Sequence, residues 1–192
     1  MRSILGLLVL PLAFSAFATS ATAQQSPASG WSRTEKTDAA HGAASAYNRF
    51  TLSGKFLKKP QETVNNPPAL AVDCGPKKWA RSSESRFLAG SLLVGVPLKI
   101  HYVEPAEIHG TSYFQKVFVR LRFDDGKEEK MQWDPGKDKT AAVFQKDLLK
   151  KMLRAHTVEI TAEDDNELPI VMQFNMTDPG LLTEACDVEV KK

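Results

Sequence analysis

The stretch Phe114–Phe123, FQKVFVRLRF, decides the fold class. Val117, Val119, Leu121 and Phe123 fall on one parity, and Phe118, Arg120 and Arg122 on the other. A period of two is the mark of a strand with one buried face. Asp124-Asp125-Gly126-Lys127 follows, and its residue types favour a hairpin turn. The spacing predicts a returning strand over Glu129–Trp133, closed by Asp134-Pro135-Gly136.

The same alternation recurs on both sides. Upstream, Leu70, Val72 and Cys74 share one face of ALAVDC, and Asp73 takes the other. Phe50, Leu52 and Phe56 indicate a strand or hairpin turning at Ser53-Gly54. Leu92–Val103 is one long strand, or two joined at Gly95-Val96-Pro97, because Pro97 cannot donate a ladder hydrogen bond. Downstream, Thr157–Thr161 and Ile170–Met176 alternate around an Asp164-Asp165-Asn166 turn. One segment breaks the pattern. In Lys139–Ala155, Ala141, Phe144, Leu148, Met152 and Ala155 recur at spacings of three and four, which predicts one long helix. Asp178-Pro179-Gly180 predicts a short helix over Leu181–Ala185, with Asp178 as its cap. Val188 and Val190 suggest a terminal strand. The expected fold is mainly β (α+β): an antiparallel barrel or sandwich, one long helix packed against it, and one short C-terminal helix.

The N-terminus reads as a leader. Arg2 precedes an apolar run over Ile4–Ala18, and Ala21-Thr22-Ala23 presents small side chains where a signal peptidase cuts. The apolar run is short for a spanning anchor. The organisation expected is a signal peptide over 1–23, a flexible leader over 24–30, and a single globular domain over 31–192 opening at Trp31. No later segment is apolar enough to span a bilayer as a helix, and the compartment expected is the periplasm or the exterior. Twenty-five basic against 23 acidic residues give a net charge of +2, too balanced for a nucleic-acid binder. In an oxidising compartment, Cys74 and Cys186 are expected to pair as a disulfide.

Sites of known chemistry are sparse. His41, His101, His109 and His156 stand in no H-E-x-x-H or finger spacing, and there is no Walker A, G-x-G-x-x-G or G-x-S-x-G. No catalytic residue, metal or cofactor is assigned. Asp164, Asp165, Asn166 and Glu167 form a turn whose oxygens could hold Ca²⁺ weakly, or are simply solvated. Arg120 and Arg122 share one face of an apolar strand, which reads either as an anion or peptide groove or as a solvent-exposed face. Trp133, with Trp79, lines such a groove or packs in the core.

The order of these elements carries a resemblance. Trp31, Leu70-x-Val72-x-Cys74, the Val119-Arg120-Leu121-Arg122-Phe123-Asp124 strand, Trp133, a helix with Phe144 and Leu148–Leu153, a strand ending near Phe174, and Cys186 occur in this sequence. The pattern resembles bacterial exported proteins related to the type VI secretion-associated protein TagO, over about residues 31–187. The resemblance implies a mainly β exported domain of accessory rather than catalytic character, and it transfers no catalytic residue. The Pro-rich loop at Lys58–Pro68 and the Ala-rich His41–Ala46 stretch depart from it. The function expected is a non-enzymatic accessory or binding protein of the envelope, its partner another envelope or secretion-system protein. The alternative is a small secreted hydrolase whose residues, His101 or His109 among them, converge only in three dimensions.

Overall fold

The computed structural model describes residues 30–37, 46–60, 62, 64–76, 86–104 and 113–188. The expected signal peptide, nearly all of the leader, His41, Trp79, His109 and Val190 lie outside the described residues.

Eleven antiparallel strands and two short helices make up the described chain. They run β1 (Ser32–Thr37), β2 (Ala46–Ser53), β3 (Lys55–Lys58), β4 (Ala69–Pro76), β5 (Arg86–Leu93), β6 (His101–Val103), β7 (Phe114–Phe123), β8 (Glu129–Pro135) and β9 (Ala141–Phe144). Helix α1 (Lys146–Met152), β10 (Thr157–Glu163), β11 (Pro169–Asn175) and α2 (Gly180–Cys186) follow. The sheet order is β1-β2-β4-β5-β9-β8-β7-β10-β11-β3, with β6 pairing β7 to one side.

The mainly β, antiparallel expectation holds, and β7 occupies Phe114–Phe123 as its alternation requires. Val117, Val119 and Leu121 are buried. They join Leu70, Val72, Leu92, Ile160, Ile170, Met172 and Phe174 in one apolar cluster, which is the driving force for the fold. The β7–β8 turn is the expected hairpin, with Val117 opposite Trp133 and Leu121 opposite Glu129. Asp124 takes a positive φ of 49°, a conformation Asp tolerates better than most residues.

Three expectations are corrected. The long helix over Lys139–Ala155 is instead strand β9 followed by the seven-residue α1. Ala142 and Phe144 face the core with period two, and β9 is held between β5 and β8. Gly90 lies opposite Phe144 in register, and a Cβ on it would collide with the Phe144 ring. The second correction concerns Ser53-Gly54. It is not a hairpin turn, because β2 pairs with β1 and β4 while β3 pairs with β11. The chain passes through Gly54 from the second strand of the order to its last. An added Cβ there would lie 2.5 Å from Phe174 Cε1 and 2.8 Å from the Gln173 carbonyl oxygen, so only glycine fits the crossing. Third, Asp178 does not cap α2: Pro179 occupies the N-cap position, without a side-chain cap hydrogen bond.

Leu92–Val103 is two strands, as its second reading had it. Gly95 turns the chain with φ +83°, and Leu98 then bridges Asp164. Val188 is buried but belongs to no strand. Cys74 on β4 and Cys186 at the end of α2 form the expected disulfide, with Cα atoms 5.5 Å apart. No helix among the described residues is long and apolar enough to cross a membrane.

Candidate functional site

On the outer face of the sheet, strand β10 separates from β7. The two pair from Val158–Phe123 to Thr161–Arg120. Beyond that point the segment after Pro97 enters between them. Leu98 bridges Asp164, the Lys99 N–H donates to the Glu163 carbonyl, and His101 pairs with Lys116 of β7. The fork leaves an open cleft of about 430 Å³, whose lining includes Phe118, Arg120, Lys130, Gln132, Thr161 and Glu163. That volume is within the range of small-ligand sites.

Alternation places these groups. Phe118 and Arg120 occupy the parity of β7 opposite to the core, and are 43% and 45% exposed. The β7–β8 register sets Gln132 opposite Phe118 and Lys130 opposite Arg120. The His101 ring lies parallel to that of Phe118, with centroids 4.1 Å apart, and so covers one of its faces. Phe118 is thereby a fixed flat wall of the cleft. Thr161 is the buried polar group at its floor.

The charges on this face follow a rule with one exception. Lys116 of β7 bonds Asp134 of β8 at 2.6 Å. Arg122 bonds its cross-strand partner Glu159 at 2.5 Å. Arg120 instead faces Lys130, a like charge directly opposite, which disfavours the pairing. Among the described residues its one carboxylate partner, Glu128, is 3.7 Å away, and no ion pair joins Lys130 to any of them. Glu163, the acid of the cleft, is engaged by Lys99 at 3.5 Å. Lys99 also meets Glu167 at 3.2 Å, and that bond, helped by Glu163, raises its ammonium pKa above the ordinary value.

The residues singled out from sequence divide accordingly. Arg120 lines the cleft. Arg122 is beyond it and is committed to Glu159. Trp133 is buried, only 4% exposed, and its ring packs against Phe144 at 5.2 Å; it borders a second cleft between β8, β9 and α1. Sequence reasoning missed Phe118 and Lys130 as site residues. The available signals were an aromatic on the polar parity of β7 and the register of the hairpin.

The acidic turn after β10 is used internally. Asp164 is buried, and its Oδ1 accepts the backbone N–H groups of Asn166 at 3.0 Å and Leu168 at 2.9 Å. Asp165 accepts from the Asn166 side chain. No group of three His, Cys, Asp or Glu able to hold a metal occurs among the described residues. His101 is stacked on Phe118. No family model, curated protein or solved structure matches the chain.

Proposed function

We propose that the chain is an exported, non-enzymatic accessory or binding protein of the bacterial envelope, and that its working surface is the fork between β7 and β10. One observation carries this reading. The cleft there is walled by a braced aromatic and bordered by two cations set opposite each other, where neighbouring cations each face an acid. Like charges directly opposite on a sheet are destabilising; Glu128, 3.7 Å from Arg120, offsets only one of the two, and a partner carrying negative charge would relieve the pair.

Export is supported by the leader-like N-terminus and by a disulfide between residues 112 positions apart, a bond that persists in oxidising compartments. The resemblance to TagO-related proteins makes a secretion-system component a candidate partner. The passage of the chain through Gly54, from the second strand of the order to its last, supports a sheet curled into a sandwich or barrel. That shape would turn the Phe118 face outward.

The test is a photo-crosslinking amino acid at Gln132, installed in the full chain and activated in the host's intact envelope. An adduct with one partner protein is expected, and it should vanish when Phe118→Ala and Arg120→Glu are added. An adduct pattern indifferent to those changes would defeat the reading. Edman sequencing of the exported protein should begin at Gln24; full-length chain in the cytosol would defeat the export part.

A further inference from the structure

We infer that the fork cleft binds a carboxylate carried next to a flat apolar group, an aromatic acid, with Arg120 and Lys130 taking the charge and Phe118 taking the ring. The inference rests on the reading that this face is the working surface and adds the chemistry of what it holds.

The charge argument starts from the register. An anion between Arg120 and Lys130 is attracted by both and removes their mutual repulsion, so the site gains more from a negative group than an isolated cation would. The guanidinium of Arg120 presents a planar fork of donors that matches a carboxylate. Lys130 supplies a second, movable charge from the facing strand. Glu128, 3.7 Å from Arg120, is exposed and too distant for a good hydrogen bond, so it leaves the guanidinium donors available.

The ring argument starts from Phe118. His101 stacks flat against one face, which fixes the ring and leaves its other side to the cleft. The Cα atoms of Phe118 and Arg120 are two residues apart on one face of one strand, about 7 Å. Both side chains therefore stand on the same face of the strand, and the long, flexible Arg120 stem lets its guanidinium meet a carboxylate carried on a ring laid against Phe118. Gln132, opposite Phe118 on β8, and Thr161, opposite Arg120 on β10, flank the pair on its two sides, and their amide and hydroxyl are donors available to a carboxylate.

Two sources share this chemistry, a free aromatic acid and the C-terminus of a protein ending in an aromatic residue. The experiment uses the oxidised, full-length mature protein, labelled with ¹⁵N. It is titrated with phenylacetate, with phenylacetamide, and with the tetrapeptide acetyl-Gly-Gly-Ser-Phe as free acid and as amide. The acids should shift the amide signals of residues 118–120, 130–132 and 161–163. The amides should bind at least about tenfold more weakly, a difference of about 1.4 kcal/mol. Tighter binding of the peptide acid than of phenylacetate assigns the site to a chain terminus; the reverse assigns it to a free acid. Arg120→Gln with Lys130→Gln should abolish the preference for acid over amide, and circular dichroism should show these exposed changes leave the fold intact. Equal binding of acid and amide, shifts mapping elsewhere, or no binding of either acid would overturn the inference. A cleft-dependent crosslink from Gln132 in that event would leave the broader binding role standing.

Discussion

Cutting the Cys74–Cys186 bond should destabilise the domain by about 5 kcal/mol. The bond closes a loop of 112 residues. In the chain-entropy treatment such a loop removes about 16 cal/mol/K from the unfolded ensemble, or about 4.8 kcal/mol at room temperature. Small domains have only about 5–15 kcal/mol in total. Reduction should therefore remove a third or more of the stability and lower Tm by roughly 10–20 °C. Helix α2 hangs on this bond. It contacts β4, to which Cys186 is bonded; Leu182 and Cys186 are both buried, and Val188 lies just beyond the helix. Urea unfolding of the wild-type chain, oxidised and reduced, measures the effect without changing a side chain. The double change Cys74→Ala with Cys186→Ala should give a similar midpoint. The slope against urea should rise on reduction, because the uncrosslinked unfolded chain exposes more surface. A loss below about 1 kcal/mol with an unchanged slope would refute the reasoning. It would mean that α2 undocks without consequence for the sheet.

Three other perturbations probe the rest of the molecule. Lys130→Glu converts a like-charge pair into an opposite-charge one, so it should stabilise the fold by roughly 0.2–1 kcal/mol in low salt and less in 0.5 M salt, while abolishing binding of aromatic acids; a destabilised variant would mean the two side chains do not meet. Gly54→Val should cost roughly 3 kcal/mol in chemical denaturation, the upper end for overpacking, because one of its clashes is with the Gln173 backbone and cannot be relieved by a rotamer; a neutral result would show that the β2–β3 passage lies elsewhere. Asp124 accepts the backbone N–H groups of Thr157 and His156, and these bonds, the Thr157 one foremost, hold its carboxyl below the usual range. Its contribution is present above the unfolded-state value near 4 and is lost as pH falls through the folded value. The stability gap between wild type and Asp124→Asn should then close on acidification below about pH 4, followed by urea midpoints; a gap that stays constant from pH 7 to pH 2 would contradict it.

What the sequence disclosed and what it withheld follow from one distinction. Strands β7, β8, β10 and β11 are legible because each has one buried and one exposed parity, and the chain writes that alternation locally. Strand β9 is not, because Ala141–Phe144 is too short an apolar run to distinguish strand from helix. Its spacing to Leu148 and Met152 mimics a helical stripe. What decides the matter is Gly90, fifty-odd residues upstream, which leaves room for Phe144 only if β9 lies beside β5. Gly54 is misread for the same reason: the clash that requires glycine comes from Phe174, distant in sequence. The candidate site divides along this line too. Arg120 is legible as a charge on an apolar strand, but its meaning depends on what stands across from it. Arg122 and Arg120 look equivalent in sequence, yet the register gives one a glutamate and the other a lysine. Function on a sheet surface is therefore written in pairs, and a pair becomes readable only when the register that joins its two strands is known.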